Sequence, residues 1–429
     1  MAVPSVPSRL PSKSHYDLEG PHIMKTPAGE RNVTGGVDTH LDFHVAAVLD
    51  STSARLLDTG SFPATSDGYV ELHAWMTSFG ELDDVGIEST GSYGAGLCRH
   101  LAAESVSVIE VNRPDRSERR FNGKDDTIDA EAAARAVLSG KATTTPKSGD
   151  GIVAAIRSLE VVYHSAVKDR TRAINQFKAL LVTAPTGLRE RLERETLRRQ
   201  LDLARRFNNA HPDPVERQIR FAFKTLARRI GFLDEQTKEL EERINTLTAE
   251  ANPTLVGISG VGPHVAAQLL STAGDNPDRI RSEAAFAKLC GACPVPASSG
   301  KTSRHRLNRG GDRRANRALF TIVLVRMRHD PRTKAYVSRR TSEGKTRKEI
   351  MRCLKRFVAR EIYHALTKPD PDLITGPQIR GLRTAAGITL TELATGLGRP
   401  PIQISRIERG LDHNTTLANQ ANTWLQTTA

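Results

Sequence analysis

The stretch VTGGVDTHLDFHVAAVLD, residues 33–50, limits most strongly what this chain can become. Two runs of small and β-branched residues flank a short polar turn, so the segment predicts a strand, a turn and a second strand. ARLLDTGSF predicts a third strand, and then the pattern changes. SDGYVELHAWMTSFG and GAGLCRHLAAE read as helices, alternating with strands in DDVGIEST and SVSVIEVN. KDDTIDAEAAARAVL closes the series as a helix. Strands first and βαβ crossovers afterwards predict an α/β domain with a mixed sheet over residues 33–145.

Four carboxylates punctuate that domain. Asp38 ends the first strand run and Glu88 ends DDVGIEST, while Asp126 and Asp129 stand three apart on the closing helix. Residues at that spacing share a helix face. Buried acids brought together repel one another unless a cation neutralises them, and all-oxygen ligand sets suit Mg²⁺ or Mn²⁺. A two-metal phosphodiester site is the chemistry such a cluster serves.

The partner is expected to be a polyanion. The chain has 429 residues and a net charge of +13, and the excess is local: residues 299–366 hold 20 Lys/Arg against 5 Asp/Glu, leaving the remainder near −2. One region therefore carries the footprint of a nucleic-acid surface. Cys290 and Cys293 form one Cys-x-x-Cys with no second ligand pair at a useful spacing, so they read as semi-buried thiols beside a turn. No signal-peptide h-region and no apolar run able to span a bilayer is seen. The expectation is a cytoplasmic, nucleoid-associated protein with reduced cysteines and no membrane contact.

Residues 1–32, rich in Pro, Ser and charge, read as disordered. Residues 150–250 read as helical throughout. Phe223, Ile230, Thr237 and Ile244 fall at one heptad position and Leu226, Leu233, Leu240 and Leu247 at the other. That seam predicts a coiled-coil dimerisation arm, against the alternative of one long helix packed within the same chain. In residues 251–368, GISGVGP before a helix is similar to a helix-hairpin-helix turn that offers backbone N–H groups to phosphate, or is a glycine turn with Pro263 in the first helical turn. The helix DRRANRALFTIVLVRMRHD should be capped by Asp312, with Arg313, Arg314 and Arg317 opposing its dipole unless an anion is near. In MRCLKRFVAREIYHAL, Arg352, Lys355, Arg356 and Arg360 lie off the apolar stripe of Met351, Leu354, Val358, Ile362 and Ala365. A solvated basic face is one reading of them, and the local charge excess favours contact with nucleic acid.

The loop PASSGKTSRHRLNRGG has what a serine nucleophile at a phosphodiester needs: small residues for close approach, and Lys301, Arg304, His305, Arg306 and Arg309 to meet charge on a pentavalent phosphorane. His305 stands between two arginines, which should lower its pKa, and contact with phosphate is the alternative to acid/base work.

Taken in order, GVDTH, GIEST-GSY and KDDTIDA resemble the metal motifs of the DEDD-type transposases of bacterial insertion sequences, a family that includes the Piv-type DNA invertases. The resemblance covers about residues 33–366. It implies an RNase H/RuvC-like N-terminal domain with Asp38, Glu88, Asp126 and Asp129 as ligands, followed by a long helical segment and a mostly α C-terminal domain. The family commonly has Thr where this chain has Asp125, which leaves Asp125 as an alternative to Asp126; the spacing to Asp129 favours Asp126. The family's Ser-Gly loop implies Ser299 as nucleophile, with Ser298 the alternative, and GGDRRANRAL matches the segment downstream of that loop. The resemblance also implies DNA as substrate, a structured guide RNA, and a composite site in a dimer or tetramer. Residues 377–427 separately resemble a small all-α Cro-type helix-turn-helix. There Ile404 and Ile407 should pack inward and Gln403, Ser405 and Arg406 face DNA, unless the module contacts protein.

The expected function is that of a transposase or recombinase using Mg²⁺ (or Mn²⁺), two ions, and a serine. A metal-dependent nuclease or junction resolvase, and a non-enzymatic DNA-binding regulator, are the alternatives.

Overall fold

The computed structural model describes residues 31–111, 125–208, 210–300, 305–370, 373–374, 376–409, 412 and 414–428. The disordered segment expected over residues 1–32 lies outside the described residues except for Arg31 and Asn32, and Asn32 already begins the first strand, where it pairs with Glu81. The chain divides into two compact units, with the boundary between Thr144 and Thr145.

The first unit is built on five strands: β1 (Asn32–Thr39), β2 (Phe43–Asp50), β3 (Leu56–Pro63), β4 (Glu81–Glu88) and β5 (Ser107–Val111). Their order in the sheet is β3-β2-β1-β4-β5. The three sequential strands pair antiparallel, whereas β4 runs parallel to both β1 and β5, so the mixed sheet expected from the sequence is present. Helices α1 (Ser66–Thr77), α2 (Ala95–Ala103) and α3 (Asp126–Leu138) complete the unit.

Strand alternation assigns the two faces. Val33, Val37, Ala46, Val48, Val85 and Ile87 are buried with Leu72 and Met76 of α1 and Leu97 and Leu101 of α2. The opposite face presents Val45, Ala47 and Leu49 to Ala130 and Ala134 of α3. Gly36 and Gly86 lie on that second face, and they set how closely α3 approaches. A Cβ on Gly36 would come within 2.2 Å of the Ala130 carbonyl oxygen, and one on Gly86 within 2.7 Å of that of Ala133.

The second unit is helical apart from a two-stranded ribbon. Its arm consists of α4 (Ile152–Val182), α5 (Thr186–Glu193), α6 (Leu197–Arg205) and α7 (Pro214–Ala251). Contrary to the expectation from sequence, helix is not continuous over 150–250: Pro185, and residues 206–208 and 210–213 with Pro212, interrupt it. The heptad seam of α7 meets an antiparallel partner within the chain. Phe177 of α4 lies edge-on to Phe223 with ring centroids 4.9 Å apart, Arg170 pairs with Asp234, and Ile156 shares a core with Ile244. The Thr237 hydroxyl at the seam donates to the Leu233 carbonyl 2.8 Å away in its own helix, so it needs no partner across the seam.

The following domain contains α8 (Pro253–Val256), α9 (Pro263–Ala273), a 3₁₀ turn at Pro277–Arg279, α10 (Glu283–Leu289), β6 (Val295–Pro296), β7 (His305–Arg306), α11 (Arg313–His329), α12 (Pro331–Ser342) and α13 (Arg347–Thr367). Phe286, Leu319, Ile322, Val358 and Ile362 are among its buried residues. Cys290 is buried, which pushes its thiol up to about 12, and Cys293 is half-buried; both are free thiols. The tail packs α14 (Gly376–Ala385), α15 (Leu390–Gly396), α16 (Pro401–Glu408) and α17 (Thr415–Thr428) around Ile379, Leu393, Ile404, Ile407, Leu417 and Leu425. A buried bidentate pair, Arg383 with Glu408 at 2.6 and 2.9 Å, ties α14 to α16. No helix among the described residues is long and apolar enough to cross a membrane.

Candidate functional site

Asp38 and Glu88 arrive side by side through strand register. Val37 is paired with Ile87 across β1 and β4, so the next residues, Asp38 and Glu88, are neighbours on one face. Each acid follows its close-approach glycine by two positions, Gly36-Val37-Asp38 and Gly86-Ile87-Glu88, so acid and glycine share the face under α3. The glycines let the helix settle on the strands, and the acids then meet its first turn, which carries Asp126 and Asp129. The Thr39 hydroxyl donates to the Glu88 carbonyl at 3.1 Å and holds the two strand ends together.

Glu88 and Asp129 are buried, whereas Asp38 and Asp126 are partly open. Burial holds the Asp38 carboxyl above its usual range; His40 pulls the other way, and the negative charges of Asp129 and Asp126 push it further up. Asp125 is occupied elsewhere, since as N-cap of α3 its carboxylate accepts from the Thr127 N–H at 3.1 Å. Asp126 is the neighbour whose carboxylate turns toward Asp38.

Sequence reasoning did not single out His40. Its Nε2 lies 3.3 Å from an oxygen of Asp38 and 3.3 Å from an oxygen of Asp126. One ligating atom from each of the three residues falls within 4.8 Å of the other two. The signal was present in GVDTH, where a histidine stands two residues beyond the acid in a tight turn.

The serine loop belongs to the second unit. Ser298, Ser299 and Gly300 are exposed on the connection between β6 and β7, whose pairing joins Val295 to Arg306 and Pro296 to His305. Lys301 and Arg304 lie outside the described residues. His305, Arg306, Arg309, Arg313, Arg314 and Arg317 are exposed, and among the described residues none of these five arginines is held in an ion pair. Asp312 caps α11 as expected, accepting from the N–H groups of Arg314 and Ala315 at 2.7 and 3.1 Å. A cleft of about 270 Å³ opens there between Asn308, Arg309, Gly310, Asp312, Arg313 and Asn316.

Behind the cleft the structure corrects one reading. Lys355 lies on no exposed basic face, whether solvated or open to nucleic acid: it is 9% exposed and donates to Asn316 Oδ1 at 3.0 Å. Burial, and secondarily Arg352, lowers its pKa. Asn316 in turn donates to the carbonyls of Cys290 and Gly291 at 2.8 and 3.0 Å, fixing the chain just before the ribbon. Arg360 is also engaged, with Glu283 at 2.5 Å. In the tail, Ile404 and Ile407 are buried as expected, Arg406 is exposed, and Gln403 and Ser405 are half-buried.

Fold and site thus define a class: an α/β domain with carboxylates gathered at strand ends, joined to a helical domain carrying an exposed serine and arginines that have no ion-pair partner among the described residues. Residues 35–184 match the family described as Transposase, in its DEDD form from IS110 elements, and residues 252–338 match the Transposase IS116/IS110/IS902 family. The chain therefore carries the domains of an IS110-family transposase. It is similar to the Insertion element IS110 uncharacterized 43.6 kDa protein of Streptomyces coelicolor, 35% identical over 136 residues, which cover 31% of this chain and 33% of that protein. It is also similar to the Insertion element IS900 uncharacterized 42 kDa protein of Mycobacterium paratuberculosis, 24% identical over 375 residues, 76% of this chain and 93% of that protein.

Proposed function

We propose that this chain is the transposase of an IS110-type insertion element and that it cuts and rejoins DNA with Asp38, Glu88, Asp126 and Asp129 as a metal centre and Ser299 as nucleophile. The observation that carries the reading is the acidic constellation: two acids in register at the ends of parallel strands, and two more on the helix that the Gly-x-acid pattern seats above them. The strand order and directions support an RNase H/RuvC-like domain. The residues suit hard divalent cations, because the donors are carboxylates, and Asp38, its pKa raised first by burial and then by Asp129 and Asp126, would gain from a cation beside it. Mg²⁺ or Mn²⁺, in a pair, would supply a scissile phosphate with orientation and charge stabilisation.

The protein's own groups account for the rest. The Ser299 hydroxyl, exposed beside Gly300, attacks phosphorus; one DNA hydroxyl leaves, and the phosphoserine ester conserves the bond for rejoining. Arg306 and Arg309, with Lys301 and Arg304, meet the developing charge, and Arg313, Arg314 and Arg317 hold the phosphate backbone. The local +15 supports a polyanion larger than one phosphate, and a structured guide RNA bound together with DNA is the partner the family resemblance favours. The tail would add a DNA contact through Gln403, Ser405 and Arg406. A homodimer or tetramer would assemble the site.

The test is covalent trapping. With Mg²⁺ and element-end DNA, the wild type should yield a DNA–protein adduct that Ser299→Ala removes, along with strand transfer. Strand cleavage undiminished in Ser299→Ala, with no adduct in either protein, would overturn the serine mechanism in favour of a nuclease or resolvase using water. Specific DNA binding without any Mg²⁺-dependent breakage would leave only a regulator.

A further inference from the structure

The acidic site contains one donor that is not a carboxylate. His40 Nε2 stands 3.3 Å from both Asp38 and Asp126, at the position where a shared cation would make its contacts. Its placement is built into the fold. The residue follows β1 in the tight turn to β2, its N–H donates to the Phe43 carbonyl at 3.1 Å, and its ring packs on that of Phe43 with centroids 5.1 Å apart. The side chain is about one-third exposed, but Nε2 itself is buried and, among the described residues, has no hydrogen-bond partner.

Donor chemistry gives this placement a consequence. Mg²⁺ takes oxygen ligands and gains little from imidazole, whereas first-row transition ions accept nitrogen and oxygen together. An all-carboxylate centre would therefore accept Mg²⁺ and Mn²⁺ comparably, and one imidazole nitrogen would tilt it toward Mn²⁺. We propose that His40 is a metal ligand through Nε2, that Asp38, His40 and Asp126 form one cation subsite, and that this subsite selects Mn²⁺ or a related transition-row ion over Mg²⁺. The inference rests on the reading of the acids as a metal centre and adds to it a fifth ligand and an ion preference.

Titrating the full-length protein with Mn²⁺ alone, and following the free-ion electron paramagnetic resonance signal with and without competing Mg²⁺, tests both statements. For the wild type, Mn²⁺ should bind more tightly than Mg²⁺. His40→Ala should weaken Mn²⁺ by about tenfold or more and Mg²⁺ by much less, collapsing the preference. Unchanged Mn²⁺ affinity in His40→Ala would overturn the inference while leaving the metal-centre reading intact. Tighter binding of both ions would also overturn it, since the ring would then be a competitor for the cation position. A wild type that binds neither ion would overturn the metal-centre reading as well. Electron spin-echo modulation of the wild-type Mn²⁺ complex needs no substitution: coupling to an imidazole nitrogen is expected, and its absence would sink the proposal even if the variant failed to fold.

Discussion

Asp38 and Glu88 end neighbouring strands beneath a helix that could not sit so close if Gly36 or Gly86 carried a side chain, whereas Ser299 stands exposed on a ribbon loop. The first region puts its charges in place before any substrate arrives, at the cost of crowding acids into a partly buried pocket. The second exposes Ser299, the proposed nucleophile, and its arginines have no ion-pair partners among the described residues, an arrangement that suits the proposed nucleic-acid backbone. Pre-organisation is needed where like charges must be held together, and openness where a long polyanion must enter. The helical domain nevertheless fixes the foot of its loop through Lys355 and Asn316.

The comparison can be broken at several points. Substituting Asp38 or Asp126 by Ala, or Ser299 by Ala, should each lower strand transfer by about 10³-fold or more. Their folding effects should differ: denaturation of Ser299→Ala is expected to match the wild type within about 0.5 kcal/mol because the residue is exposed. A large loss of stability there would mean that the loop is as tightly built as the acidic site. Gly36→Ala should destabilise the first unit by about 3 kcal/mol or more, since its methyl would strike helix backbone rather than a flexible side chain. A near-neutral result in a urea titration would show that α3 has room to move.

Asn316→Leu leaves a buried ammonium and two carbonyls without their partner and should cost about 2–3 kcal/mol in the second unit, read by the same titration. The smallest effect concerns the charge on Asp38, opposed first by burial and then by its acidic neighbours. Because the folded pKa of Asp38 is raised, the folded state holds its proton longer than the unfolded chain, and stability falls as pH rises from the ordinary carboxylate value through the raised one. Asp38→Asn should therefore lack that fall and raise Tm slightly at neutral pH in chelator-treated protein. Divalent ions should reverse the order of the two proteins, and a Tm that is lower for the variant in chelator would contradict the argument that burial and neighbouring acids oppose the charge on Asp38.

Much of the first unit was legible in the chain. Every strand and helix expected between residues 33 and 140 is present, because period-2 and period-3.6 patterns are local and the turns are marked by Gly, Asp and Ser. The positions of the acids were legible because Asp38 and Glu88 stand at strand ends and Asp126 and Asp129 in the first turn of a helix. His40 was not, since its role depends on Asp126, a residue 86 positions away brought over the sheet by α3. Lys355 was misread for a related reason: a helix pattern shows which residues lie off the main stripe, but not that another helix covers them.

The amino-acid sequence by itself determined the element order, the mixed character of the sheet, the cap of α11 and the ends at which carboxylates would stand, since all of these follow from short-range sterics and hydrogen bonding. Tertiary structure alone decided the rest. Strand register placed Asp38 beside Glu88, and glycine-permitted contact lowered Asp126 and Asp129 onto the same face. An antiparallel helix within the chain met a heptad seam that a second copy would have fitted equally well by pattern. A hydrophobic or charged pattern states what a residue needs, and only packing determines which residue supplies it.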